Sequence, residues 1–201
     1  VSGSAKWREN EMPVKGRRRG VSERVLYLVV CGAGPASRID EMVKLAQDVG
    51  WSVHCIATPA AVEYFLNVPA VEALTGHQVR TTYRKPGDEP LPRADGIIVA
   101  PATYNTINKW AAGIADHYVL NQLAELTGLG AAIVVLPFVN QGLASNRVFL
   151  RSVAELRQAG VRVLFGPGEF VPHPPRTGSN VLDTFPWALA LRSLDDAKQA
   201  D

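Results

Sequence analysis

With 201 residues and a formal net charge of +2, the chain has the size of one globular domain, or of one domain with a tail. Hydrophobic residues make up 47% of it and charged residues 20%, a balance that excludes wholesale disorder. No run of eighteen apolar residues is present, which excludes an ordinary membrane-spanning helix. Residues 1–24 hold seven Lys/Arg and three Glu, a net charge of +4, so the rest of the chain has a net charge of −2. Since the rest of the chain has no excess of basic residues, the sequence does not favour nucleic-acid binding.

The first 23 residues have no hydrophobic periodicity and include three consecutive arginines. They predict a disordered basic tail, with a basic arm that contacts a partner as the alternative. The two cysteines, Cys31 and Cys55, lie inside apolar runs and cannot form a disulfide framework. They predict buried thiols and a reducing, cytoplasmic location, and no membrane association is predicted.

From residue 25 onward, short apolar runs alternate with helical patterns. The predicted strands cover residues 25–31, 52–57, 78–82, 96–100, 131–136 and 161–165. The predicted helices cover residues 39–49, 60–66, 106–112, 118–126, 146–158 and 184–191. This alternation predicts an α/β fold, a Rossmann-like three-layer sandwich with a six-stranded parallel sheet. The folded domain is expected over residues 24–192, with a C-terminal tail over 193–201.

Ligands of such folds bind at the carboxyl ends of the strands, so the segments that follow the strands carry the predicted chemistry. After the first strand, Gly32 and Gly34 are spaced to let backbone N–H groups approach a phosphate, or else form an ordinary tight turn. After the fourth, Thr103, Asn105 and Thr106 offer hydrogen bonds to a planar heterocycle, although Asn105 or Thr106 could instead cap the next helix. The end of the fifth strand has the same pattern, in which a proline ends the strand and an amide side chain, Asn140, follows.

The four histidines show no metal-ligand spacing, and no metal site is predicted. His54 is interpreted as structural and His77 as an exposed turn residue, whereas His117 lies in a segment that could reach the pocket.

In this order, the strand-end segments resemble the homo-oligomeric flavin-containing cysteine decarboxylases, which include phosphopantothenoylcysteine and peptidyl-cysteine decarboxylases. Residues 101–106 (PATYNT) match the family's Pro-Ala-Ser-Ala-Asn-Thr signature at four of six positions. Residues 113–116 (GIAD) match the stretch that follows it, and 58–65 is similar to the family segment after the second strand.

The resemblance implies a flavodoxin- or decarboxylase-type flavoprotein that binds FMN between the subunits of a homo-oligomer, either a trimer or a dodecamer of trimers. In the family reaction the flavin takes a hydride from the cysteine side chain of the substrate, and the resulting thioaldehyde loses carbon dioxide. The carried-over cofactor residues are Gly32, Gly34, Ala36, Thr58, Tyr64, Pro101, Thr103, Asn105, Thr106 and Asp116. Asn140 corresponds to the asparagine that holds the substrate carboxylate.

The chain also departs from the family pattern. Decarboxylases place an active-site histidine just before the Ala-Asp pair that here is Ala94-Asp95, but residues 85–93 contain none. The family's Pro-Ala-Met-Asn-x-x-Met-Trp becomes PFVNQGLA over residues 137–144, and residues 166–180 lack the late cysteine of phosphopantothenoylcysteine decarboxylase.

Three hypotheses follow. The first is an FMN-dependent enzyme, a decarboxylase-like lyase, that acts on a small carboxylate- or thiol-bearing substrate. The second is a noncatalytic FMN-binding regulatory subunit, and the third is a flavin-modifying protein similar to prenyltransferases.

Overall fold

The computed structural model describes residues 24–199, so the predicted basic tail lies outside the described residues. The fold is α/β, as predicted, and its sheet is parallel with the strand order β2-β1-β3-β4-β5. The strands are β1 (Arg24–Val30), β2 (Trp51–Ala57), β3 (Gly96–Ala102), β4 (Ile133–Pro137) and β5 (Arg162–Val163). Chain order reverses between β1 and β3, which is where such sheets bind ligands.

Helices cover both faces of the sheet. They are α1 (Ile39–Asp48), α2 (Pro59–Tyr64), α3 (Val68–Thr75), α4 (Tyr104–Ala111), α5 (Tyr118–Gly128), α6 (Gln141–Ala144), α7 (Arg147–Gln158) and α8 (Trp187–Gln199). Two 3-10 helices, Gly34–Arg38 and Gly178–Thr184, pack against each other. Helices α1, α3 and α8 form one group of packed helices, and α4, α5 and α7 form another. The central strands are therefore buried on both faces, which explains their continuous apolar sequences.

The sheet among the described residues has five strands, so the prediction of six was wrong. The error lies at residues 78–82, where only Arg80 pairs with the edge of β2, through an isolated parallel bridge to Ile56. Arg80 N–H donates to Cys55 O at 2.9 Å, and Arg80 O accepts from Ala57 N at 2.8 Å. Val79 is the only apolar residue of this segment, and a polar, proline-rich loop follows it. The segment therefore has too little apolar surface to extend the sheet.

The last helix differs from its prediction at both ends. It begins at Trp187 and continues to Gln199, although the sequence predicted residues 184–191. Leu194 explains the extension, because its side chain is fully buried. A Cβ built on Gly96 of β3 would lie 2.7 Å from Leu194 Cδ2, so the glycine gives α8 room to approach the sheet closely.

Helix α3 was not predicted, although its start carries a signal in the sequence. Asn67 caps it, since its side-chain oxygen accepts a hydrogen bond from Ala70 N at 3.2 Å, and Pro69 occupies the first turn. Among residues 24–199, every helix is too short or too polar to cross a lipid bilayer.

Candidate functional site

A cleft of about 520 Å³ opens at the carboxyl ends of the strands. Segments that follow β1, β2, β3 and β4 all contribute to its walls, as the sequence predicted for ligand-binding segments of a parallel sheet. The lining residues are Gly32, Ala33, Thr58, Pro59, Ala60, Thr103, Tyr104, Asn105, Thr106, His117, Phe138 and Leu143.

The first wall joins the end of β1 to the start of α2. Thr58 caps α2 by accepting a hydrogen bond from Ala61 N at 3.3 Å, and its own N–H donates to Val30 O at 3.0 Å. Gly32 lies directly against this turn, because a Cβ built on it would be 2.8 Å from Ala60 Cβ. A glycine at position 32 is therefore required by the close approach of α2, and it leaves the floor of the cleft without a side chain.

The second wall is formed where β3, which has a cis Ala100–Pro101 bond near its end, is followed by α4. Thr103 caps α4, since its Oγ1 accepts from Thr106 N at 3.2 Å and lies 2.9 Å from Thr106 Oγ1. The capping residue is thus Thr103 rather than Asn105 or Thr106. Asn105 lies in the first turn of α4, exposed at the cleft, where its amide is available to a ligand.

Only part of the predicted phosphate loop reaches the cleft. Gly34 and Ala36 do not line it, and Ala36 is fully buried. A Cβ built on Gly34 would lie 2.8 Å from Leu182 Cδ2, so this glycine makes room for the later 3-10 helix. Arg38 and Asp183 form an ion pair that joins the same two segments.

Three other predicted cofactor residues lie outside the cleft walls. Pro101 is buried in β3, and the Tyr64 side chain is 68% exposed. Asp116 accepts a hydrogen bond from Lys109 Nζ at 2.5 Å, which lowers the pKa of its carboxyl group. Its neighbour His117, however, does line the cleft.

His117 has an unusual environment for a histidine. Its Nδ1 atom is buried and has no hydrogen-bond partner among the described residues. Burial also lowers the pKa of its imidazole, so the neutral form is favoured. His77, by contrast, stacks on His54 with ring centroids 3.9 Å apart and does not line the cleft. Of the two histidines that follow the second and fourth predicted strands, His117 is the one placed at the site.

The end of β4 supplies an aromatic wall that the sequence did not predict. Phe138 and Leu143 line the cleft, whereas Asn140 does not line it and caps α6, accepting a hydrogen bond from Leu143 N at 3.0 Å. Asn140 also forms an isolated parallel bridge with His173, from the segment after β5. Neither Phe138 nor His173 carries a local sequence signal for this position, because both are placed by contacts between distant segments.

Residues 85–93, where the family pattern has its histidine, form an exposed loop apart from the partly buried Leu91. Tyr27 OH donates a hydrogen bond to Pro92 O at 2.6 Å and holds the end of this loop against β1. Among the described residues, no group of three or more His, Cys, Asp or Glu side chains could hold a metal ion.

Comparison with known proteins places the chain among flavoproteins. A family model described as Flavoprotein matches residues 16–178. The coenzyme A biosynthesis bifunctional protein CoaBC of Bacillus subtilis (strain 168) is 29% identical over 147 residues, covering 70% of this chain and 35% of that protein. The chain therefore spans about a third of the length of the curated relatives it matches.

Solved structures show the same fold. The FMN-dependent cysteine decarboxylase SpaF is 25% identical with a TM-score of 0.61, covering 88% of this chain and 98% of that one. AnUbiX (PadA1), solved with FMN and dimethylallyl pyrophosphate, is 18% identical with a TM-score of 0.65, covering 86% of this chain and 93% of that one. The family match and the similarity to SpaF confirm the resemblance to FMN-dependent cysteine decarboxylases, and AnUbiX shares the fold.

Proposed function

The chain belongs to the Flavoprotein family, and from that premise we propose that it is an FMN-dependent enzyme related to the phosphopantothenoylcysteine and peptidyl-cysteine decarboxylases. The observation that carries the proposal is the convergence of four strand ends on one cleft, with Thr58, Thr103 and Asn105 in its walls. The substrate class is a small molecule with a carboxylate or a thiol.

FMN is the cofactor, and the cleft fits it in three respects. Its volume, about 520 Å³, lies within the range of ~300–1,000 Å³ that small-molecule sites occupy. The floor at Gly32 has no side chain, and a Cβ there would collide with Ala60. The buried Nδ1 of His117 has no partner among the described residues and could be satisfied by a polar group of the cofactor.

The predicted cofactor residues are proposed to serve different parts of FMN. Thr58 and Tyr64 are proposed to contact the ribityl chain or the ring, and Thr103, Asn105 and Thr106 the edge of the isoalloxazine. Gly32, Gly34 and Ala36 are proposed to lie near the phosphate, with Gly32 in the cleft wall and Ala36 fully buried, its N–H donating to Ala33 O at 2.9 Å. Pro101, within β3, and Asp116, paired with Lys109 of α4, are proposed to act on FMN binding by shaping the wall at the end of β3.

When bound, FMN would supply two-electron redox chemistry, as an acceptor of hydride from the substrate. The chain would hold the substrate carboxylate with Asn140 and exclude water with Phe138 and Leu143. The usual histidine before Ala94 is absent, and losing a general base commonly costs ~10²–10⁴-fold in rate. That absence favours a second candidate, a noncatalytic FMN-binding subunit.

We propose a homotrimer or a larger assembly of trimers as the working state, located in the cytoplasm. The free and buried Cys31 and Cys55 support a reducing compartment. The family pattern supports the trimer, because the family binds flavin between subunits.

The cofactor assignment is tested by the absorbance spectrum of the purified protein and by the mass of the chromophore released on heating. Asn105→Asp removes an amide donor from the cleft and adds a charge, and we expect it to weaken FMN binding at least about tenfold. Asn121→Asp, in α5 outside the cleft, adds the same charge and serves as the control. A protein that stays colourless when titrated with FMN would refute the cofactor assignment.

The enzymatic assignment is tested with the FMN-loaded protein under anaerobic conditions. Bleaching of the flavin by members of a panel of thiol carboxylates would support an enzyme. Stable FMN binding without bleaching by any member would favour the noncatalytic subunit instead.

A further inference from the structure

A second cavity, of about 340 Å³, adjoins the cofactor cleft, and Phe138 lines both. We call it the aromatic chamber. Its other lining residues come from the segment after β5: Glu169, Phe170, Val171, His173, Pro174, Val181, Thr184, Phe185 and Pro186. The chamber therefore combines a hydrophobic wall with one imidazole, in the segment that pairs with Asn140, three residues after the end of β4.

The main chain fixes His173 opposite Asn140. The two residues form a parallel bridge, and Gln141 N–H donates to His173 O at 2.8 Å. Backbones paired in this way lie about 4.8 Å apart, and residues directly opposite project their side chains from the same face. The side chains of His173 and Asn140 therefore leave the ladder on one side, next to Phe138.

The imidazole ring of His173 is held by a stacking contact and lies beside a glycine. It stacks on Phe138, with ring centroids 4.7 Å apart and an interplanar angle of 30°. At the Nε2 edge of the ring, a Cβ built on Gly178 would lie 3.1 Å from Nε2 of His173 and 3.5 Å from the Phe138 ring. A glycine at 178 thus leaves space for the ring, and the ring is oriented before any ligand arrives.

The two nitrogens of this ring have different environments. Nδ1 is buried without a hydrogen-bond partner among residues 24–199, whereas Nε2 is not enclosed in this way. Since unpaired buried N–H groups are rare, the proton of the neutral ring is assigned to Nε2. Burial also lowers the pKa of His173, which favours this neutral form. Nε2 is then a hydrogen-bond donor.

Asn140 offers a second donor beside it. Its Oδ1 is occupied by Leu143 N, which leaves the Nδ2 amide hydrogens for a ligand. The only carboxylate of the chamber, Glu169, is paired with Arg157 and Arg162, so its charge is neutralised and it does not repel an anion.

We propose that His173 is a substrate-binding residue, whose Nε2–H donates a hydrogen bond to the carboxylate that Asn140 also binds. The inference rests on the proposed function, because it deepens the description of the same substrate site. It assigns to the segment after β5 a polar group that recognises anionic substrates and discriminates against their neutral amides.

The test uses the FMN-loaded protein with two probes that differ only in the carboxylate, N-acetylcysteine and N-acetylcysteine amide. Dissociation constants are measured by calorimetry, and FMN content is measured by visible absorbance. His173→Phe keeps the stack on Phe138 without a donor, and His173→Gln keeps an N–H donor. Hydrogen bonds to charged groups are stronger than those to neutral carbonyls, so His173→Phe should weaken binding of the acid about 10- to 100-fold and that of the amide several times less. His173→Gln is expected to restore most of the affinity, and FMN content should be equal in all three proteins.

The possible failures are distinguishable. Equal affinity of wild type and His173→Phe for the acid would overturn the inference. So would a loss that affects acid and amide alike, because it would reveal a purely structural role. Failure of the FMN-loaded wild type to discriminate acid from amide would overturn it as well, with the cofactor assignment intact. A wild-type protein that binds no FMN would refute the proposed function, and this inference with it.

Discussion

Replacing Gly32 with alanine tests how tightly the cleft floor is built. The new Cβ would lie 2.8 Å from Ala60 Cβ and 2.9 Å from the Ala60 carbonyl carbon. Neither atom can rotate away, because one is a Cβ and the other belongs to the backbone of α2. The first turn of α2 is itself held by the Thr58 cap and by the bond from Thr58 N to Val30 O. The collision must therefore move α2.

Overpacking of this kind costs about 1–3 kcal/mol of the free energy of unfolding. For a chain of this size, 2 kcal/mol corresponds to a fall in Tm of about 4–8 °C. Because Ala60 lines the cleft, the same movement should weaken FMN binding. Urea unfolding of the apoprotein measures the first effect, and titration with FMN measures the second.

Two other glycines provide matched controls. A Cβ on Gly34 would meet the flexible end of the Leu182 side chain, so Gly34→Ala should cost less than Gly32→Ala. Gly128 ends α5 with nothing within 4 Å of a built Cβ, and Gly128→Ala should be neutral or stabilising by up to about 1 kcal/mol. If Gly32→Ala matched Gly128→Ala in both stability and FMN affinity, the proposed contact between floor and α2 would be refuted.

Three further predictions concern caps and titratable groups. Thr103→Ala should lower the free energy of unfolding by about 1 kcal/mol in urea melts, while Thr103→Ser, which keeps the capping oxygen, should be close to wild type. Burial raises the pKa of the Cys31 thiol and raises that of Cys55 to about 12, so neither should react with Ellman's reagent at pH 8 until urea unfolds the protein; prompt labelling in the folded state would contradict this. Burial, with His77 and Arg80 nearby, lowers the pKa of His54 to about 4 from 6.5. As the pH falls, the unfolded chain therefore binds a proton at this histidine before the folded chain does. The free energy of unfolding should fall from its value above pH 6.5 as the pH approaches 4, by about 2 kcal/mol at pH 5. An equal pH dependence in His54→Asn would refute this.

The parts of the fold that the sequence predicted are those with strong local patterns. The runs at β1, β2, β3 and β4 are largely apolar and bounded by glycine, proline or charged residues, and they fold as strands, of which β1, β3 and β4 are central in the sheet. Residues 78–82 lack such a pattern, and the prediction of a strand there relied on alternation alone.

Helix α8 could have been extended from the sequence. Trp187, Ala190, Leu191 and Leu194 follow helical spacing, and all four are buried. The acidic pair Asp195-Asp196 obscured this pattern, because charged residues near the end of a chain also suggest a tail.

The site residues also fall into two groups, those that the sequence could place and those that it could not. Thr58, Thr103 and Asn105 follow strands directly and could be placed by chain order. The pairing of His173 with Asn140 joins segments 33 residues apart, and the Leu182 contact with Gly34 spans most of the domain. Neither has a periodicity or spacing that sequence reasoning could use, since each depends on how the segment after β5 packs over the cleft.

The position of His173 also has a consequence for catalysis. A donor that binds the substrate carboxylate stabilises the ground state at least as much as the transition state for losing carbon dioxide, because the negative charge leaves the carboxylate during that step. The hydrogen bond from His173 should therefore contribute to affinity rather than to turnover. With any thiol carboxylate that the FMN-loaded protein oxidises, His173→Phe is expected to raise KM about tenfold or more and to leave kcat unchanged or higher. A fall in kcat at unchanged KM would instead identify His173 as a group that acts only in the transition state, and the assignment of the carboxylate to the Asn140–His173 pair would be wrong.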